Sequence, residues 1–584
     1  MNGPRILFKN TYIPLLLGAL GLVSAASANA QSQCDSFYPK SYTLTQGMLT
    51  TGMPSMSRPA KGTKIKEPSF GTCLTRATDH AAEGVTKFSR NYYSRRQAFN
   101  ANNSYFITFS PDGWHLYDAG SLKHLRKLSP LVAKPSTPVQ YNIGGDSEVV
   151  WHPTDPNSLY YLSAKGSTKI MKLDVRTNAY SVVADVASSL PSWAAGTTKM
   201  WTRWEGSPSK DARYWGFQLE GSGKRLGFIT WDLQQNKLVG SMKSSISSDH
   251  TSMSPSGRWI VIADTASGTG TWAYSPDFKQ KKKLMATSGH SDLAVGANGH
   301  DYYVSIDYAS SKGDVFMVDL DTCPAVAASA SSAAYCPRTV LFQQYINGAS
   351  SAMHISGKAF DRPGWVVVSS YGTKNSRDGS VPWYANKVFL MEMNAKPRIY
   401  PIAYTRRTNA SSGDSYWSET HASASRDLTR VIFNSNWGSS SYDDVDTYIV
   451  KIPTTAFPGG TVVTPPGSSR VTGGSLRPRS GGNRGMSASA LLPTLGAATA
   501  IVDTSASDAN GSTGATPVPA EDKPAASTVW ISPGMRMVRG LAAGVRQLSV
   551  PARHNASAIP RVAFLSLPSV AWMRSVMIEK GILE

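Results

Sequence analysis

At 584 residues the chain is long enough for one large domain with appendages. Its 49 Gly, 25 Tyr and 15 Trp suit a turn-rich all-β domain and argue against a helical bundle. The net charge is +20, of which about +6 lies after Phe457 and about +2 before residue 31, so the body is basic. That balance favours anionic partners such as acidic polysaccharide or a cell envelope, and no nucleic-acid-binding module is legible.

In chain order, the first element reads as a targeting segment. Arg5 and Lys9 precede the apolar run "IPLLLGALGLV", and "ASANA" ends in a small-x-small site at Ala30. Residues 1–30 are therefore expected to be a signal peptide. The run is too short for an ordinary membrane span, and no later one is longer. A secreted or periplasmic, monomeric protein with no transmembrane segment is the expectation.

Four cysteines, Cys34, Cys73, Cys323 and Cys336, form an even set. In an exported chain this favours two disulfides. Local pairing, Cys34–Cys73 and Cys323–Cys336, is the simplest of three connectivities. No pair has Cys-x-x-Cys spacing, which argues against a thiolate zinc site. Residues 31–90 are read as an N-terminal segment held by the first disulfide, either packing on the main domain or closing it.

From there a turn followed by a strand recurs seven times. The copies are "NANNSYFITF" from Asn100, "HPTDPNSLYYL" from His152, "SPSKDARYWGF" from Ser207 and "SPSGRWIVI" from Ser254. "GANGHDYYV" from Gly296, "DRPGWVVV" from Asp361 and "SRDLTRVIF" from Ser425 complete the set. Their spacing of roughly 40–65 residues matches four-stranded propeller blades. The fold expected over 91–456 is an all-β, seven-bladed β-propeller. Residues 457–584 open with a Pro/Gly/Ser-rich stretch and read as a low-complexity, largely disordered tail.

Aligning the blades on their turns brings one position about four residues upstream into register, at the start of each innermost strand, without a gap in blades one to four and seven and with two or three extra residues in blades five and six. It holds Arg96, Glu148, Arg203, His250, His290, His354 and His421. Four of the chain's 10 histidines thus fall on four successive blades. A single polar residue at a channel mouth is most often a structural hydrogen-bonder. A ring of four His, two Arg and one Glu is costly to gather without a purpose. Imidazoles converging from neighbouring strands suit a transition metal such as Mn²⁺, Zn²⁺ or Fe²⁺. Arginines beside it suit a carboxylate, sulfate or phosphate.

The blade start "HTSMSPSG" at His250, echoed by "HASASRDL" at His421, resembles TolB/tricorn-type propeller repeats. The histidines at the blade starts resemble those of the oligogalacturonate lyase family. The resemblance implies a divalent metal, Mn²⁺ first, and β-elimination of uronate linkages in an anionic carbohydrate. It implies His290, His354 and His421 as metal ligands and His250 as base. Arg96, Arg203 and Glu148 complete the expected catalytic ring. The chain departs from that family where two His and a Gln share one strand, since "MHIS" carries a single His. The competing reading is a non-enzymatic platform for protein or glycan, with the aromatic stretches "NYYSRR", "MWTRW" and "SYWSET" as its rim. No Gly-x-Ser-x-Gly elbow, phosphate-binding loop or Cys-x-x-Cys-His site supports another enzyme class.

Overall fold

The computed structural model describes residue 34, residues 36–128, residue 141, and residues 143–264 and 270–458. The expected signal peptide and the tail from residue 459 onward lie outside the described residues.

The described chain forms seven antiparallel sheets, one per expected blade. Blades two, three and six each have four consecutive strands, and blade five has four with one foreign strand between its third and fourth. Blade four opens with Ser248–Met253 and Ile260–Asp264, and gains Val326–Ala327 at its outer edge. Blade one has three regular strands, and its inner position is held by residues 90–99 through bridges Arg90↔Phe109 and Phe99↔Phe106.

Central strands such as Trp365–Lys374 are apolar without alternation, and Val366, Val367 and Val368 are all fully buried. Each blade is sandwiched between two others, so both faces of its sheet are dry and neither face selects polar residues. Toward the axis the blades converge, and bulk becomes the limit. A Cβ on Gly206 would sit 1.8 Å from the Thr251 carbonyl oxygen of blade four. A Cβ on Gly357 would sit 2.4 Å from that of Leu293 in blade five.

Ring closure comes from the N-terminal segment. Blade seven orders Ser423–Ala424, Arg430–Ser435 and Asp446–Lys451, then Cys73–Arg76 and Lys64–Lys66. Asp446 anchors this seam. Its carboxylate accepts from Arg76 Nη2 at 2.6 Å, Thr78 Oγ1 at 2.9 Å and the His80 amide at 2.9 Å, and it pairs with Arg58. Burial opposes its ionisation, but the His80 hydrogen bond and the two guanidiniums hold it below the usual carboxylate range.

Both disulfides pair locally, Cys34–Cys73 and Cys323–Cys336. The first ties the chain to a blade-seven strand. The second closes the loop that carries Val326–Ala327 to the edge of blade four. In the chain-entropy account, loops spanning 39 and 13 residues contribute about 4 and about 3 kcal/mol. Reduction is expected to lower Tm and leave the β-sheet circular dichroism intact at 25 °C, because blade packing holds the ring. Loss of that signal on mild reduction would contradict this.

Candidate functional site

The innermost strands start at one end of the channel and finish in turns at the other. At the starting end, blades five, six and seven deliver three histidines. His290 immediately precedes Ser291–Val295, His354 lies within Ser350–Ser356, and His421 precedes Ser423–Ala424. The His290 and His354 rings stack at 4.4 Å, and those of His354 and His421 lie 4.1 Å apart. Tyr371 stacks on His354 at 4.7 Å and lies 6.3 Å from His290, and Tyr93 contacts His421 at 4.7 Å.

Glu419 completes the cluster, with Oε2 3.0 Å from His354 Nε2 and 3.4 Å from His421 Nε2. His421 holds φ at +39°, an uncommon conformation for a side chain with a Cβ. Asn91 Nδ2 donates to its carbonyl at 2.6 Å, and Arg90 donates to its Nδ1. His290 Nδ1 donates to the Met353 carbonyl at 2.7 Å, which leaves Nε2 as an acceptor. Burial pushes all three imidazoles down, His290 to about 3 and the other two well below their ordinary value. All three are therefore neutral at pH 7. Burial pushes Glu419 the other way, up.

His354, Glu419 and His421 each offer a ligand atom within 4.8 Å of the others. His354 Nδ1 and His421 Nε2 are buried and make no hydrogen bond. Neutral imidazole nitrogens and a carboxylate oxygen are the donors a first-row divalent ion takes, so these residues fit a metal. His290 flanks that triad and is not part of it. Arg90 also binds His421 Nδ1, so ligation through Nε2 would require the imidazole proton to leave or to displace Arg90.

A second group adjoins the first. His250, in blade four, lies 3.3 Å from Asp249 Oδ2 through Nδ1, and Glu205 shares their neighbourhood. Burial, then the charge of Arg95, lowers His250 to about 4. Burial works against the Asp249 carboxylate, yet its hydrogen bond to His250 and the nearby positive charge keep it ionised below the usual range. Arg95 joins the two groups. It is 1 % exposed, lies over the Tyr93 ring at 5.0 Å, and donates to Glu205 at 2.6 Å and to the Ser291 carbonyl. Its charge also depresses His290, His354 and His421.

Three residues of the expected ring are placed elsewhere. Glu148 accepts from the Thr202 amide and hydroxyl, both at 2.8 Å, and from the Trp204 amide. Arg96 donates to Thr202 Oγ1 at 3.2 Å and to the Trp204 carbonyl. Arg203 donates to the Ser248 carbonyl at 3.0 Å and packs on Trp201 at 4.5 Å. All three brace the segment that follows Lys199–Trp201. Arg203 and Trp204 there have φ of +61° and +65°, which breaks strand alternation. Arg95 and Glu205 meet at the axis in their stead.

Glu419, Glu205, Asp249, Arg90 and Arg95 belong to the site but not to the ring read from the sequence. Glu419 had a signal, the Glu-x-His spacing of "SETH". Because Glu148 is a buried carboxylate with three donors, Glu148→Ala is expected to cost about 3 kcal/mol in chemical denaturation. A cost below about 1 kcal/mol would contradict its bracing role.

No protein-family model matches the chain, and no curated protein matches it. Among solved structures, an oligogalacturonate lyase from Vibrio parahaemolyticus is similar at TM-score 0.45 and 11 % identity, over 68 % of this chain and 100 % of that one. An oligogalacturonate lyase in complex with manganese is similar at TM-score 0.42 and 12 % identity, over 71 % and 98 %. A TolB from Acinetobacter baumannii is similar at TM-score 0.26 and 15 % identity, over 55 % and 67 %.

Proposed function

We propose that this protein is an exported, metal-assisted enzyme that cleaves uronate linkages of an anionic carbohydrate by β-elimination. One observation carries the reading. Glu419 Oε2 stands 3.0 Å from His354 Nε2 and 3.4 Å from His421 Nε2, while the buried His354 Nδ1 and His421 Nε2 make no hydrogen bond, in a channel end that also holds buried arginines. Leaving such atoms unsatisfied is costly unless a ligand completes them.

His354, His421 and Glu419 would hold the ion, most simply Mn²⁺, with His290 stacked beside them. When bound it supplies Lewis acidity toward a carboxylate, which acidifies the neighbouring C–H. Arg95 keeps Nη2 without a partner and is suited to orient the uronate carboxylate. Asp249 holds the His250 Nδ1 proton, so the Nε2 lone pair is the base. That nitrogen takes the proton from C5, the C–H electron pair becomes the C4–C5 double bond, and the bond from C4 to the glycosidic oxygen breaks. The expelled oxygen takes a proton from water or from a tyrosine. Burial raises Tyr371 well above its ordinary value, so it keeps its proton until a stronger base, the departing alkoxide, appears.

Export rests on the N-terminal apolar segment and on two disulfides. Among the described residues no helix is long and apolar enough to cross a membrane.

Purified protein is expected to retain about one divalent ion per chain by elemental analysis. With uronate oligomers it should generate the ultraviolet chromophore of an unsaturated uronate. If it retains no metal and a panel of acidic glycans yields no product, the non-enzymatic binding platform is the better reading.

A further inference from the structure

The opposite end of the channel has a cavity of its own. Its walls come from the turns that close the innermost strands, at 207–212, 358–360 and 426, and from residues of blades one and two. These turns meet one another across the blades. The Lys210 amide donates to the Pro255 carbonyl at 3.0 Å, and the Asp361 amide donates to the Arg426 carbonyl at 2.8 Å. Arg426 Nη1 then reaches from blade seven to the Lys210 carbonyl of blade three at 3.0 Å, across the mouth.

Charge in this cavity is one-sided. Arg95, Arg96, Lys210, Lys358 and Arg426 line it, and no Asp or Glu does. The acids that pair with these cations stand behind them. Glu148 is 3.8 Å from Arg96, Asp292 is 2.9 Å from Lys358, and Asp361 is 3.3 Å from Arg426. Lys210 is exposed and makes no ion pair among the described residues. Arg96 is 4 % exposed, and its Nη1 is buried with no hydrogen-bond partner. Orphaned guanidinium N–H groups are costly in a protein interior and are satisfied by an oxyanion. Phe99, Trp151 and Phe360 supply apolar walls.

We propose that this turn-end cavity is a second binding site, for a small organic oxyanion. Its carboxylate or phosphate meets Arg96 and Lys210, and its apolar body lies against Phe99 and Trp151. The cavity holds none of His250, His290, His354 and His421 and shares only Arg95 with that end of the channel, so its test rests on Lys210, Arg426 and Arg96.

The test is calorimetric titration of the full chain with benzoate and with phenyl phosphate at constant ionic strength. Acetate and inorganic phosphate serve as probes without an apolar body. Saturable 1:1 binding is expected for at least one aromatic probe, and the stronger of the two identifies the headgroup. Lys210→Glu and Arg426→Gln should each weaken binding at least tenfold, and His354→Ala should leave it unchanged. Arg96→Lys should weaken it as well. If that variant does not fold, the exposed Lys210→Glu decides. Absence of saturable binding by both aromatic probes would overturn the proposal. So would binding indifferent to both rim variants, or binding lost in His354→Ala.

Discussion

His354→Ala should strip the bound metal and lower turnover at least a thousandfold while the propeller stays folded. His354 sits at the centre of the cluster, in ring contact with His290 and with Tyr371 and 3.0 Å from Glu419. Removing it deletes one of two unpartnered nitrogens and leaves too few donors for a tight divalent site. The fold should tolerate the loss because neighbouring Met353 and Ile355 point into the blade core and are fully buried. His250→Asn should behave differently. It should keep the metal, since His250 belongs to the Glu205 and Asp249 group, yet lower kcat by about 10²–10⁴-fold, the usual worth of a general base. Elemental analysis and the chromophore assay on both variants separate the two roles. If His250→Asn loses the metal, or His354→Ala keeps both metal and activity, the assignment is wrong.

The fold was legible because a propeller writes its period into the chain. Each blade must turn out of the channel and restart, and turns such as "SPSG" and "HPTDP" mark those places. The closing strands were less legible. Lys64–Lys66 and Cys73–Arg76 are short, and their role is set by the pairing of Cys73–Arg76 with Asp446–Lys451, some 370 residues away, to which Lys64–Lys66 adds the outer edge. At the site, alignment by turns reached the histidines of blades four and seven without a gap and those of blades five and six only with two or three extra residues before the turn. It failed to find the axial residues of blades one and three. There the inner segments are irregular, and a shift of one residue exchanges Arg96 for Arg95. In blade three the positive φ at Arg203 and Trp204 carries Glu205 to the axis. Such backbone reversals at residues other than Gly or Asn have no composition signal.

Acid should destabilise this protein steeply below pH 6.5, and the histidine cluster is the reason. The fold keeps His250 neutral until about pH 4, whereas the unfolded chain protonates it near 6.5. Between those values the unfolded state binds the extra proton, so stability falls as pH falls. At about 1.4 kcal/mol per pH unit, His250 alone accounts for on the order of 3 kcal/mol by pH 4. His290, His354 and His421 are lowered by the same cause, burial, and act with the same sign. Glu419 opposes them. Burial raises its carboxyl, so its unfavourable ionisation is relieved as pH falls, but one group does not offset four. A loss of this size approaches the whole stability of a typical domain. Urea denaturation in chelator at pH 7, 6 and 5 should therefore show a falling midpoint, with a shallower fall in His250→Asn. A midpoint that is flat or rises toward pH 5 would mean that these imidazoles are solvated in the folded protein and cannot form a dry, neutral ligand set.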